Sequence, residues 1–152
     1  MGALSLLITG ASGRVGRACV ARALAGGHHV RALIRGGAEP PGHARLTVLR
    51  ADLARDDLTA ALQGVDAILH CAAAMSGDDA AMARDTVTAT ERLTQAAGAA
   101  GVAHIVLAGS VAVYGLTPLA EGTVIDEETG LESDLKNRDA YTRAKLAQEH
   151  VT

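Results

Sequence analysis

The sequence contains no phenylalanine and no tryptophan, and only two tyrosines among 152 residues. Its core must therefore be filled by Ala, Val, Leu and Ile. Alanine-rich helices can lie close to a sheet, which suits a layered α/β fold better than a loose bundle. Cysteine is equally scarce. Cys19 and Cys71 are isolated in apolar surroundings, which reads as two buried thiols rather than a disulfide framework. No apolar run approaches the roughly 20 residues needed to span a bilayer, and LSLLI is only a short strand. A basic leader and a signal-type cleavage region are both missing from the N-terminus, so the chain reads as the mature start of a cytoplasmic protein. The formal charge of −3 offers no general attraction to nucleic acid or an anionic membrane. No metal-ligand spacing is present. His28 and His29 precede a strand, His70 ends one, and each reads as a loop or packed residue. Without a repeat, a low-complexity tract or a linker, residues 1–152 form one domain.

Apolar runs alternate with helical patterns along the whole chain. LSLLITG, HVRALIR, RLTVLRADL, DAILHCAAA and HIVLAGS read as five strands. RVGRACVARALAGG reads as a helix closed by Gly26 and Gly27, LTAALQG as a short helix ended by Gly64, and Asp79 to Ala100 as one long helix. A Gly/Pro loop covers Gly36 to Gly42. A polar stretch runs from Leu116 to Arg138, and a last helix begins near Ala140. The continuous hydrophobicity of the fourth strand is that of a strand buried on both faces. This β-α-β-α rhythm predicts a doubly wound parallel sheet, a Rossmann fold, whose ligands bind beyond the C-terminal strand ends where strand order reverses. The glycine turn after the first strand, Cys71-Ala72-Ala73 after the fourth and Ser110 after the fifth all sit at such ends.

TGASGRVG, from Thr9 to Gly16, is a strand-to-helix turn. Gly10 permits the sharp exit from the strand, Gly13 lets the backbone approach a pyrophosphate, and Gly16 allows close contact between helix and sheet. Gly10, Ser12, Gly13, Arg14, Val15 and Gly16 are the candidate phosphate cradle. Near the other end, YTRAK places Tyr141 and Lys145 at i, i+4 on one helix face. A tyrosine ordinarily titrates near pH 10 and is a poor base at neutrality, and a neighbouring cation favours the phenolate. Either motif alone is a weak signal. In this order, with a strand ending GSVAVYG between them, they point to nicotinamide-dependent redox chemistry acting on a small molecule. A carboxylate at the end of the second strand usually holds the ribose diol of NAD(H). Here Ile34 stands there, followed by Arg35, and an arginine fork suits a 2′-phosphate, with Arg14 able to join it. NADP(H) is therefore favoured over NAD(H).

The G-x-x-G-x-x-G spacing, the S-x-x-V-Y-G segment and Y-x-x-x-K together resemble the extended branch of the short-chain dehydrogenase/reductase superfamily, the NAD(P)-dependent epimerase/dehydratase family. The resemblance implies that Asp52, with Leu53 beside it, bonds the adenine amino group, and that Cys71, Ala72 and Ala73 let the cofactor lie against the backbone. It implies that Ser110 orients the substrate oxygen and that Tyr141 exchanges a proton with it. Lys145 would assist the phenol and bond the nicotinamide ribose. It assigns Tyr114 to structure or the pocket wall, and Glu127 and Glu128 to a solvated loop. Thr86 occupies the place of an Asn that the family often carries. Val111 and Ala112 replace the acidic pair of the dehydratases, which argues against dehydration. Extended members carry further strands and a substrate-binding region beyond the last helix read here, so the fifth strand is expected to be a bare hydrophobic edge. They also dimerise through their fourth and last helices, making a homodimer the expected assembly. The opening GASGRVG and VRALIR are similar also to atypical relatives that bind NADP(H) as sensors. These usually lack Y-x-x-x-K, so an oxidoreductase or epimerase acting on a carbinol or carbonyl carbon, such as that of a nucleotide sugar, is the leading expectation, with a non-catalytic sensor or an inactive fragment of such an enzyme as the alternatives.

Overall fold

A computed structural model describes residues 2–116 and 119–152. Five parallel strands, β1 (Ser5–Thr9), β2 (His29–Ile34), β3 (Leu46–Arg50), β4 (Ala67–His70) and β5 (His104–Leu107), form one sheet in the order β3-β2-β1-β4-β5. The helices are α1 (Arg14–Ala25), α2 (Thr59–Leu62), α3 (Asp79–Met82), α4 (Ala89–Ala99) and α5 (Ala140–His150). The chain starts in the middle of the sheet, builds outward to β3, then returns to place β4 on the other side of β1. The strand order therefore reverses between β1 and β4, and a crevice opens at their C-terminal ends.

Alternation along β1 explains the two-sided core. Leu6 and Ile8 face α1 and pack with Val20, Ala23, Val30, Ala32 and Ile34. Leu7 faces the opposite layer and packs with Leu62, Ile68, Leu93 and Ala97. Small and branched aliphatic side chains fill both layers, as the missing aromatics require. β4 is covered unequally rather than buried on both faces as expected: Ile68 and His70 are buried, while Ala67 and Leu69 are half-buried against the opposite core. It ends at His70, so Cys71-Ala72-Ala73 lies just outside the ladder rather than in it. At β5 the sheet stops. Val106 there is 60% exposed, the uncovered apolar edge that the sequence predicts.

The long helix differs from the expected regular one. Helical backbone runs from Asp79 to Ala99, but Ala83–Thr88 between α3 and α4 is wound as a π-helix. Hydroxyls inside the helix accompany the change. Thr90 Oγ1 donates to the Thr86 carbonyl at 2.6 Å, and Thr94 Oγ1 to the Thr90 carbonyl at 2.9 Å. Such bonding back to the preceding turn competes with the regular ladder. The helix nevertheless starts on a conventional cap, Asp78 accepting from the Ala81 amide. Tyr114 bridges to Leu131, a structural role, and Glu127 and Glu128 are exposed. No helix among the described residues is long and apolar enough to cross a membrane.

Candidate active site

The turn after β1 is built from backbone that admits no side chain at two points. Gly10 has φ +61°, and a Cβ there would stand 2.8 Å from the Ala72 nitrogen. A Cβ at Gly16 would fall on the Gly10 carbonyl. At Gly13 the only near atom is the Gly10 oxygen at 3.2 Å, so that backbone is open to the crevice. α1 begins immediately after, with no side-chain cap and no acidic residue in its first turn. The amides of Arg14, Val15 and Gly16 precede the first intrahelical bond, which Arg17 donates to Gly13 at 3.0 Å. Unsatisfied amides at the positive end of a twelve-residue helix fit a pyrophosphate.

These residues line a cavity of about 770 Å³. Its walls include Gly10, Ser12, Gly13, Arg14, Val15 and Gly16 on one side, Arg35, Asp52 and Leu53 at the ends of β2 and β3, and Cys71, Ala72 and Ala73 beyond β4. All twelve residues singled out from the sequence for cofactor contact therefore meet around one space, leaving aside Tyr141 and Lys145. A cavity of this size, walled by backbone amides and small residues, is suited to a dinucleotide.

Two wall residues already have partners. Asp52 Oδ1 accepts from the Ala54 amide at 2.9 Å, so this carboxylate caps its own turn while facing the cavity. Arg35 donates to Asp85 at 2.8 Å, a cavity neighbour that gave no signal in the sequence because it lies in the irregular helix. The Arg84 guanidinium at 2.6 Å, together with Arg35, pushes the Asp85 carboxyl down to about 2. Ile34, where a diol-binding carboxylate would stand, is 1% exposed.

Ser110, Tyr141 and Lys145 do not line that cavity; they come from segments packed beside it. Ser110 caps the 3₁₀ turn Val111–Val113, its hydroxyl accepting from the Ala112 amide at 3.2 Å. Asp139 caps α5 by accepting from the Thr142 amide at 2.7 Å, which starts the helix two residues before half-buried Tyr141. Lys145, one turn later, is 3% exposed. Its Nζ donates to the Ala108 carbonyl at 2.7 Å, next to the serine segment, and to Gln148 Oε1. Burial lowers the Lys145 pKa, with Glu149 and Cys71 opposing that effect.

A buried polar cluster extends from this lysine, and the sequence gives little sign of it. Thr9, His70, Thr86, Thr90 and Gln148 are each at most 1% exposed. Thr86, in the place of the family's Asn, accepts from the Ala74 amide at 2.9 Å and so braces the cavity wall. His70, expected to be packed, is packed but also fully hydrogen-bonded, to Thr9 at 2.6 Å and Thr90 at 2.8 Å. Burial, and secondarily the charge of Lys145, lower its pKa to about 4. One signal was available in advance: Gln148 follows Lys145 by three residues on a helix, which puts both on one face. The cysteines need a correction. They are free, as expected, but only half-buried and not isolated, since the Cys19 and Cys71 Sγ atoms lie 4.0 Å apart between α1 and the segment after β4. Burial first, then Cys19, pushes the Cys71 thiol up to about 12.

Comparison with known proteins agrees with this architecture. The family model "NAD dependent epimerase/dehydratase family" matches residues 6–152. The 3 beta-hydroxysteroid dehydrogenase/Delta 5-->4-isomerase of Mycobacterium tuberculosis is 34% identical over 155 residues, covering 95% of this chain and 40% of the relative. Among solved structures, MoeE5 in complex with UDP-glucose and NAD superposes with a TM-score of 0.81 at 31% identity, covering 97% of this chain and 47% of that one. A short-chain dehydrogenase/reductase superfamily protein from Agrobacterium tumefaciens with bound NAD gives 0.80 at 33% identity, covering 97% and 43%. The chain thus spans less than half the length of these relatives. With its parallel sheet, uncapped glycine turn and Y-x-x-x-K helix in the family's order, this chain belongs to the NAD-dependent epimerase/dehydratase family of extended short-chain dehydrogenases/reductases.

Proposed function

We propose that this chain is the nucleotide-binding and catalytic part of an oxidoreductase or epimerase that uses NADP(H), in preference to NAD(H), on a carbinol or carbonyl carbon of a small molecule. The carrying observation is the convergence of twelve separately identified cofactor residues on one cavity. When bound, the nicotinamide would supply hydride donation or acceptance. The chain's own residues do the rest. The Arg14, Val15 and Gly16 amides hold the pyrophosphate, Asp52 accepts from the adenine amino group, and Ala72 and Ala73 let the nucleotide lie against backbone. The Ser110 hydroxyl donates to the substrate oxygen, and the Tyr141 phenol gives or takes the proton at that same oxygen. Lys145 supplies positive charge beneath the phenol and a donor toward the ribose.

Preference for the phosphorylated cofactor rests on the buried Ile34 in place of a carboxylate and on Arg35 at the rim. Asp85 tempers this reading, because it holds Arg35 before any phosphate does. One relative is named for a 3 beta-hydroxysteroid and one neighbour was solved in complex with UDP-glucose and NAD, both of which are molecules with hydroxyl-bearing carbons. Val111 and Ala112, directly after Ser110, have no group that transfers a proton, which favours redox or epimerisation over dehydration. Calorimetric titration with NADPH and NADH separately tests the proposal. Micromolar binding with NADPH the tighter is expected, and no binding of either at millimolar concentration would overturn it.

A further inference from the structure

We propose that Gln148 is a positioning residue for Lys145, holding the ammonium at one end of a buried hydrogen-bond chain whose other end carries the cavity-wall segment Ala72–Ala74. The proposal rests on Lys145 having the role just given and adds a residue that the Y-x-x-x-K motif does not contain.

The fixed donors and acceptors at the two ends of the cluster direct its hydrogens. Lys145 can only donate, so Gln148 Oε1 must face it. That orientation directs the two Nε2 hydrogens to Thr90 Oγ1 at 2.9 Å and the Ala72 carbonyl at 3.2 Å, with His70 Nε2 a longer neighbour at 3.3 Å. The flipped amide would set NH2 against the ammonium and oxygen against the Ala72 oxygen, so the orientation is unique. Thr90 spends its hydroxyl hydrogen on the Thr86 carbonyl, and therefore accepts from His70 Nε2 at 2.8 Å. His70 Nδ1 is then the acceptor for the Thr9 hydroxyl at 2.6 Å, and Thr9 Oγ1 accepts in turn from the Ala72 amide at 3.3 Å. The Ala74 amide closes the circuit on Thr86 Oγ1. Both the carbonyl and the amide of Ala72 are thus tied to the lysine through Gln148, fully buried at 0% exposure.

The side-chain type follows from this wiring. A carboxylate at 148 would still accept from Lys145 but would have no hydrogen for Ala72 or Thr90, and its charge would cancel the ammonium's. An apolar side chain would leave the ammonium only the Ala108 carbonyl. The other titratable groups around Lys145 are His70 at the end of β4, Cys71 just beyond it, and Tyr141 and Glu149 on its own helix. On the helix packed against α5, Asp79 is paired with Arg143, and Asp85 with Arg35 and Arg84.

The test uses the fact that the sequence holds two lysines, Lys136 and Lys145, and Lys136 is exposed. Nitrogen-15 labelling of lysine gives each Nζ its own NMR titration, with Lys136 as internal reference. Gln148→Met should lower the Lys145 midpoint by about one pH unit, a tenfold change, and Gln148→Glu should raise it by at least as much. Both variants lose the donor to Ala72 and should weaken dinucleotide binding about tenfold, while Lys136 stays fixed. A packing role alone would lower the melting temperature of both, leave the Lys145 midpoint of Gln148→Met at the wild-type value and leave the affinity of both unchanged, and that result would overturn the proposal. Where Gln148→Met does not fold, the near-isosteric Gln148→Glu still tests the donor to Ala72 through dinucleotide affinity, and an affinity equal to wild type would overturn the proposal. The lysine titration needs no cofactor. A wild-type chain that bound no dinucleotide would therefore sink the enzymatic reading, while the titration still decided whether Gln148 holds Lys145.

Discussion

Acidification from pH 7 to pH 5 should destabilise this protein through one buried imidazole. His70 is 1% exposed, receives a hydrogen bond at Nδ1 from Thr9, and lies near the Lys145 charge. In the unfolded chain it would titrate near 6.5, and in the fold at about 4. Because the folded value is the lower one, the unfolded state takes up the proton first. Stability is complete above pH 6.5 and declines as pH falls toward the folded value. The loss is about 2 kcal/mol at pH 5 and about 3 kcal/mol once both states are protonated. Depressed carboxylates such as Asp85 and Asp139 contribute in the same direction, but only below about pH 4, where their unfolded forms protonate. The window from 6.5 to 5 therefore isolates the histidine. Urea unfolding followed by circular dichroism at pH 7 and pH 5 measures the change, and a His70→Asn variant removes the titrating group. Wild type should lose about 2 kcal/mol more than the variant across that interval. Equal pH dependence in the two proteins, or His70 ring protons titrating above pH 6 by NMR, would refute the reasoning.

Other expectations follow from single contacts. Gly16→Ala puts a methyl on the Gly10 carbonyl, and it should cost about 2 kcal/mol or more in thermal unfolding and abolish dinucleotide binding. Tyr141→Phe should bind the dinucleotide within twofold of wild type yet lose on the order of 10² to 10⁴ in kcat with any carbinol substrate that supports turnover. Retained turnover would refute the proton-transfer role of Tyr141, whereas a sensor would show no turnover in either protein and would bind the dinucleotide equally in both. Asp85→Asn frees Arg35 from its 2.8 Å partner, so NADPH affinity should rise several-fold relative to NADH in parallel titrations. Cys71, its thiol pushed up to about 12, should resist iodoacetamide at pH 8 as read by mass spectrometry. Rapid alkylation there would contradict its protonated, half-buried state.

Much of the site was legible because the residues that make it are local motifs. The turn from Gly10 to Gly16 announces itself in sequence, since no other residue type fits beside the Ala72 nitrogen or against the Gly10 carbonyl. Cys71-Ala72-Ala73 follow from the position of a strand end and Asp52 from the family resemblance, and the structure sets them on the same cavity. Less legible was whatever depends on irregular geometry. The π-helical turn at Ala83–Thr88 interrupts the regular winding of the long helix, and Asp85 within it lines the cavity. Periodicity at 3.6 residues misses such a turn. Cys19 and Cys71 are 52 positions apart and read as unrelated, yet α1 and the end of β4 bring their sulfurs within 4.0 Å.

The sequence by itself determined the sheet's parallel order, the glycine turn after β1 and the placement of Tyr141 and Lys145 one turn apart on a helix. The first is encoded by the alternation of strands and helices along the chain, and the other two by spacing within a single segment, where steric and periodic rules act at short range. Only the tertiary structure decided what Lys145 touches. Its partners come from α5 and from the segment after β5, and the cluster behind it draws on β1, β4 and the π-wound helix. Buried polar groups must satisfy one another wherever packing brings them together, and no spacing along a chain records that requirement.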